Sequence, residues 1–315
     1  MPTPLIYAIV VLIWGTTWYA IKFQLGVVAP EVSLVYRFGL AAVCVFIYAR
    51  VTGSPLKLSL RDHRMVALQG VTLFCLNYWM TYLSTQYLTS GLVAVLFTSI
   101  IFFNIVNGRL IFGTPVERRV VLAAGTGVLG VALLFLPELQ AALHEPTIAH
   151  GAVLALAATY VASLGNMAAS RNTQAGLPVV TVNAYGLAYG TVGLAVIAAI
   201  RGTPVEFDAH WPYVVSLLYL SLAGTSLAFG LYLALIKRIG ASRAAYTSVL
   251  FPVVALGVST LFEAYEWSLT AIVGLVVLVV GNALALGRKA RQWRSIGGPI
   301  TTNAGVRGQE RTKSP

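Results

Sequence analysis

A chain of 315 residues in which 58% are hydrophobic and only 10% are charged cannot build a water-soluble surface, which excludes an ordinary soluble domain. The formal charge of +11 raises a nucleic-acid partner, but such a face needs basic residues interleaved with aromatics on a soluble surface. Here the basic residues sit in short segments between apolar blocks, and each block is about twenty residues long, enough to cross roughly 30 Å of hydrocarbon.

In chain order the blocks predict ten spans, at 5–26, 32–50, 65–86, 90–111, 118–136, 150–170, 178–200, 212–236, 243–262 and 268–287. Lipid gives backbone groups no partner, and long unalternating runs do not suit a barrel, so the expected fold class is all-α and polytopic, with ten transmembrane helices. Span 1 follows Met1-Pro2-Thr3-Pro4, which carries no positive side chain, and no small-x-small cleavage site follows it. It is expected to be a retained helix. Cys44 and Cys75 lie inside spans, as packing residues rather than a metal site or a disulfide framework. After Leu286 the chain turns polar, with Gly297-Gly298-Pro299, and no periodicity follows to Pro315; residues 291–315 are expected to be a disordered cytoplasmic tail.

With an even number of spans both termini share a side, and basic residues mark the cytoplasm. Arg50, Lys57, Arg61 and Arg64, then Arg109, Arg118 and Arg119, then Arg171, then Lys237, Arg238 and Arg243, all fall with Arg288, Lys289, Arg291 and Arg294. The opposite loops hold Glu31, Glu138, Glu145, Glu206, Asp208, Glu263 and Glu266, with only Lys22 and Arg201 against them.

The chain also repeats. Leu88-Thr89-Ser90-Gly91 before span 4 matches Ile239-Gly240-Ala241-Ser242 before span 9, about 151 residues on. At the same offset Leu110-Ile111-Phe112-Gly113 falls on Leu261-Phe262-Glu263-Ala264, and Pro30 and Pro178 each precede an aromatic-glycine pair, Phe38-Gly39 and Tyr185-Gly186. Five spans per copy is odd, so the second copy enters the membrane inverted. The turn Gln86–Ser90 is uncharged and outside, while its counterpart with Lys237, Arg238 and Arg243 is basic and inside. The copies are expected at 1–140 and 145–290. Inverted repeats suit a secondary transporter opening one central site to either side in turn, although a channel can be built the same way.

Trp14-Gly15-Thr16-Thr17-Trp18, the Ser90-Gly91 and Ala241-Ser242 leads into spans 4 and 9, Phe251-Pro252, and Leu261-Phe262-Glu263-Ala264-Tyr265-Glu266 together resemble the EamA branch of the drug/metabolite transporter superfamily. The resemblance covers about residues 5–287. It implies two inverted five-helix repeats, a bacterial cytoplasmic (inner) membrane location, and export of amino acids or other small metabolites. The chain departs from the pattern at Gly113-Thr114-Pro115, where the first copy lacks the usual acidic residue, and no proline in span 4 matches Pro252.

Polar and aromatic side chains within spans are the candidates for a substrate pathway, because a polar group in hydrocarbon must find a partner or line a cavity. Trp14 and Trp18 share a helical face in span 1, as an apolar wall of the path or as packing. Span 3 offers Asn77, Tyr78 and Tyr82, an aromatic site with hydroxyls or part of the outer aromatic belt. Span 4 gives Thr98 and Ser99, matched in span 9 by Tyr246 and Ser248. Span 6 spaces Thr159, Ser163 and Asn166 as a polar stripe that faces the interior, for solute or for helix association. Asn104, Asn107, Asn183 and Asn282 are scattered and expected to tie helices together. Arg37, the most internal charge, can snorkel, pair with an outer carboxylate or meet a substrate carboxylate.

No Asp or Glu sits in mid-span, where a charge costs about 2.5–3.5 kcal/mol on insertion scales. A neutral cavity suits zwitterionic or uncharged solutes, possesses no evident proton carrier, and disfavours lipophilic cations. His63, His144, His150 and His210 all fall in loops without a nucleophile or carboxylate pair, so no enzyme is expected, and neither a metal nor a cofactor is called for. The partners expected are a small-molecule substrate and the lipid bilayer, with no nucleic acid. The sequence is compatible with a monomer and leaves the oligomeric state open. The function expected is a permease or exporter of small neutral or zwitterionic organic solutes, amino acids (aromatic ones included) or related metabolites. A multidrug exporter of the same superfamily and a channel-like facilitator are the alternatives.

Overall fold

A computed structural model describes residues 1–113, 115, 118–134, 136–137, 140, 145–239 and 247–286. Among these no strand occurs, and all ten expected spans are helical. Span 1 is Thr3–Lys22, span 2 Pro30–Val51, span 5 Arg118–Leu134, span 6 Pro146–Gln174, span 7 Val179–Ile200, span 9 Thr247–Phe262 and span 10 Leu269–Leu286. Spans 1, 2, 4, 6, 7 and 8 are long and apolar enough to cross a membrane, and shorter apolar helices cover 125–134, 250–262 and 269–281. Prolines stand in the first turn of spans 1, 2, 6 and 8, where the missing N–H costs no bond. Ser59 caps the third span by accepting the Asp62 N–H, and Thr89 caps the fourth by accepting that of Leu92.

Three spans are not continuous α-helices. Span 3 runs Leu60–Gly70, a π-helical stretch Val71–Leu76, then Asn77–Ser84. Span 8 runs Trp211–Leu218, a π-helical stretch Tyr219–Leu227, then Ala228–Ile239. In span 8, Thr225 and Ser226 donate to the carbonyls of Leu220 and Ser221, five residues back, as the widened turn requires. Span 4 is Ser90–Phe97 and Ile100–Phe112, parted by a tightened turn in which the Thr98 and Ser99 N–H groups bond three residues back. Shifted by 151 residues, that turn falls at 249–250, just ahead of Pro252 inside span 9. Span 4 therefore breaks its helix close to the place where span 9 carries a proline within a continuous helix.

The packing follows an inverted two-fold relation. Span 1 packs on spans 8 and 9, as span 6 packs on spans 3 and 4; span 2 meets span 8 as span 7 meets span 3. Spans 2 and 7, 4 and 9, and 5 and 10 meet across the axis. Spans 5 and 10 approach backbone to backbone. A Cβ on Gly130 would lie 2.4 Å from the Leu278 nitrogen, and one on Gly274 would lie 2.4 Å from that of Leu134. Gly70, Gly186 and Gly190 likewise let the π-helical stretch of span 3 lie against span 7, where a Cβ on Gly70 would meet the Gly186 oxygen at 2.4 Å.

Burial is uneven along span 4. Every residue of Ser90–Leu96 is buried, within a core that includes Leu88, Leu134, Leu256, Tyr265 and Leu278 at the outer side. In Ile100–Phe112, toward the cytoplasm, Asn107 alone is buried.

Candidate functional site

An apolar cavity of about 430 Å³ lies between spans 2, 3, 7 and 8. Val45, Leu187, Leu222, Phe74 and Phe229 supply much of its wall, with Cys44, Asn183, Thr225 and Ser226 as the small polar groups. Among the described residues, no charged side chain lines it. Phe74 and Phe229 stand out because each continues into an aromatic run. Phe229 meets Trp14 edge-on at 5.5 Å and Phe74 at 6.5 Å; Phe74 meets Phe38 at 5.7 Å, and Phe38 meets Tyr78 at 4.8 Å. Neither phenylalanine carried a signal in the sequence, since one more Phe in an apolar span is unremarked.

Among the described residues, none of the side chains expected on a pathway lines this cavity. Trp14 donates its indole N–H to the Gly224 oxygen at 3.0 Å and packs on Phe229, Tyr232 and Phe251, which binds span 1 to spans 8 and 9. Trp18 packs on Phe97 in the outer core. Asn77 is buried and donates to the Leu73 oxygen, leaving its own oxygen without a partner. Thr98, at the break in span 4, donates to the Val95 oxygen, and Ser99 is half-buried beside it. Thr159 is buried and donates to Ala155. Asn107 donates to Ser163 at 2.9 Å and Asn166 to Asn104 at 3.3 Å, so the stripe on span 6 forms two rungs with span 4. Tyr246 and the Ser248 side chain lie outside the described residues, as do His144 and the Asn282 side chain. Asn183 faces the cavity instead of another helix's polar group.

Tyr78, Tyr82 and Arg37 come together. The Arg37 guanidinium is 2% exposed, lies 4.9 Å from the Tyr78 ring centre and 5.2 Å from that of Phe38, and donates to the Tyr82 hydroxyl at 3.2 Å. It neither snorkels to the surface nor forms an ion pair among the described residues.

The two basic residues of the outer loops are both paired. Arg201 Nε lies 3.0 Å from Glu31, which also accepts from Thr203 at 2.7 Å and from the Trp79 indole at 3.2 Å. Lys22 lies 3.1 Å from Glu263. Glu263 accepts the Ser90 N–H at 3.0 Å and the Ser90 hydroxyl as well, so one carboxylate ties the outer ends of spans 1, 4 and 9. Burial pushes that carboxyl up, but the Ser90 hydrogen bonds and Lys22 outweigh it and hold the group below its ordinary value of 4.5. At the equivalent cytoplasmic place the first copy has Phe112 and Gly113, the latter a left-handed helix terminus with φ 66°.

Toward the cytoplasm, Asp62 pairs with Arg171 at 3.4 Å, Asn172 donates to Gln69 at 2.9 Å, and the Tyr189 hydroxyl meets His63 Nδ1 at 2.9 Å. Among the described residues, no group of three His, Cys, Asp or Glu side chains could hold a metal ion.

An all-helical chain of two inverted repeats around neutral, lipid-embedded surfaces defines a polytopic membrane transporter. The EamA-like transporter family model matches residues 2–136 and 149–287, and the chain belongs to that family. Among its relatives is a Salmonella typhimurium protein named "Probable amino-acid metabolite efflux pump", 25% identical over 87% of this chain and 91% of that protein. The inner membrane transporter YedA of Escherichia coli K12 is 27% identical over 85% and 87%, and the transporter YoaV of Bacillus subtilis 25% identical over 86% and 92%. A crystal structure with 16% sequence identity superposes with a TM-score of 0.64 over 92% of this chain and 98% of its own, a likeness of fold. The protein is a multi-pass protein of the inner membrane.

Proposed function

We propose that the chain carries small neutral or zwitterionic organic solutes, amino acids first among them, by alternating access, and that the state described here is closed on its outer side. The observation that supports this reading is the asymmetry between the two copies. Glu263, Lys22 and Ser90 fasten the outer ends of spans 1, 4 and 9, whereas the equivalent cytoplasmic position holds Phe112 and Gly113. Two inverted halves that exchange conformations need such contacts to break on one side as they form on the other. With no carboxylate at the equivalent position of the first copy, the outward-closed arrangement is favoured when no solute is bound.

A solute class follows from the linings. The cavity offers apolar wall, one amide and small hydroxyls, which accommodate an aliphatic or aromatic side chain and give a lipophilic cation no carboxylate. The name of the Salmonella relative supports amino acids. No membrane-embedded carboxylate is available as proton carrier within the described mid-spans, so movement down the solute's own gradient is the coupling proposed.

The test is counterflow in proteoliposomes with L-leucine, L-phenylalanine, L-threonine, glucose and ethidium. Acceleration of labelled amino-acid uptake by the same amino acid inside is expected of a carrier. Equal rates with and without internal solute would indicate a pore, and movement of ethidium alone would indicate a drug exporter.

A further inference from the structure

We propose that Arg37 is the receptor for a carboxylate on the transported solute, which narrows the cargo to carboxylate-bearing molecules such as zwitterionic amino acids. This rests on the carrier reading above and deepens it. The first support is a charge balance. Of the 21 lysines and arginines, eighteen fall on the cytoplasmic side, and Lys22 and Arg201 each sit against an outer carboxylate. Arg37 remains, in mid-helix, seven residues from Pro30 and so about 10 Å inward of the outer helix end.

A buried guanidinium without a counter-charge is normally untenable. Two aromatic faces and one phenol soften its burial, yet its Nε–H has no partner at all. The geometry supplies a planar cationic donor group with one N–H unpaired, the kind of group that recognises carboxylates. One turn outward on the same face, Ser33 bonds the Gln24 carbonyl and the Tyr213 hydroxyl. The Gln24 amide donates to the Tyr213 oxygen and to Ser216, and its own side-chain oxygen is left without a partner. Arg37 Nε is thus an unpaired cationic donor and Gln24 Oε1 an unpaired amide acceptor, the two kinds of group that a carboxylate and an ammonium would satisfy. The Phe38–Phe74 ring pair separates this cluster from the cavity, because Phe74 forms cavity wall and Phe38 underlies the guanidinium. Those rings must part for a solute to pass between the two.

The experiment compares counterflow of L-leucine and L-phenylalanine with that of leucinamide and phenylalaninamide, which lack only the carboxylate charge. The wild-type protein is expected to favour the acids about tenfold or more, the scale of a charged hydrogen bond. Arg37→Gln should collapse that ratio toward one, while Arg37→Lys should keep the charge and lose part of the preference. A purely structural role would slow acids and amides alike and leave the ratio unchanged, which would overturn the assignment. If Arg37→Gln does not purify as a monodisperse protein, the ratio in Arg37→Lys decides: a clear fall supports the proposal and an unchanged ratio overturns it. Counterflow of glucose or of the amides at rates equal to the acids would overturn the Arg37 assignment and leave the carrier reading standing. Absence of counterflow for every solute would sink the carrier reading, and with it this one.

Discussion

Lys22 and Glu263 meet at 3.1 Å although one ends the first span and the other ends the ninth. The carboxylate is nearly buried while the ammonium is about one-third exposed, so the pair is part lock and part surface contact. Ser90 completes it from a third span. Breaking it should free the outer ends of three helices at once.

Replacing Glu263 with Gln should therefore shift the protein toward outward-open forms. Removing one partner of a fully buried pair costs roughly 3–5 kcal/mol; with Lys22 partly solvated, about 1–2 kcal/mol is expected, or a five- to thirty-fold change in population. Leu92→Cys, in a background with Cys44 and Cys75 replaced, reports it: an impermeant maleimide added outside should label the Gln variant faster. Equal labelling rates would show that the outer side is held elsewhere.

The same contact carries a pH signature. The Glu263 carboxyl lies below its ordinary value of 4.5 when folded, so its stabilisation is complete above that value and lost as pH falls through the lower folded one. Labelling of Leu92→Cys, taken relative to a fully exposed control cysteine at the same pH so that the loss of thiolate cancels, should be flat from neutral pH down to about 4.5 and rise only below it. A rise centred near pH 6.5 would implicate a histidine instead.

Gly130→Ala should destabilise the pairing of spans 5 and 10, because the new Cβ meets backbone atoms of Leu278 that no rotamer change can move. About 1–3 kcal/mol, read as a drop in Tm in detergent, is expected for such overpacking. Gly257→Ala, where nothing lies within 4 Å, is the matched control and should leave Tm nearly unchanged. Equal Tm values would mean the helices separate without cost.

Trp14→Phe keeps a ring among Phe229, Tyr232 and Phe251 but removes the N–H bond to Gly224. A loss of about 1 kcal/mol of stability is expected, with counterflow retained, whereas Trp14→Ala should lower both. If Trp14→Phe abolishes counterflow in a protein of unchanged Tm, the indole acts on the solute rather than on helix packing.

Spans and sidedness were legible in the sequence because hydrocarbon thickness and lysine–arginine placement act locally. The departure at Gly113 was legible too, and it marks the side that lacks the Glu263 contact. Partners were not legible. Trp14 finds Gly224 some 210 residues away, and Arg201 finds Glu31 at a separation of 170, neither implied by residue type. The stripe Thr159, Ser163, Asn166 announced an interior face, but that it pairs with Asn104 and Asn107 depends on spans 4 and 6 being neighbours. Cavity walls such as Phe74 and Phe229 escaped because periodicity says little about helices that are apolar all round.

The two π-helical stretches, Val71–Leu76 and Tyr219–Leu227, overlap and end together when the halves are aligned at an offset of 151 residues. Each widened turn holds an extra residue and swings everything beyond it by about 100° around the helix axis. A deletion of one residue there would turn the inward-facing side chains of half a span toward lipid, in one copy and not the other. Because both copies keep the dislocation, each half turns its side chains about the same point in span, once from either side of the membrane.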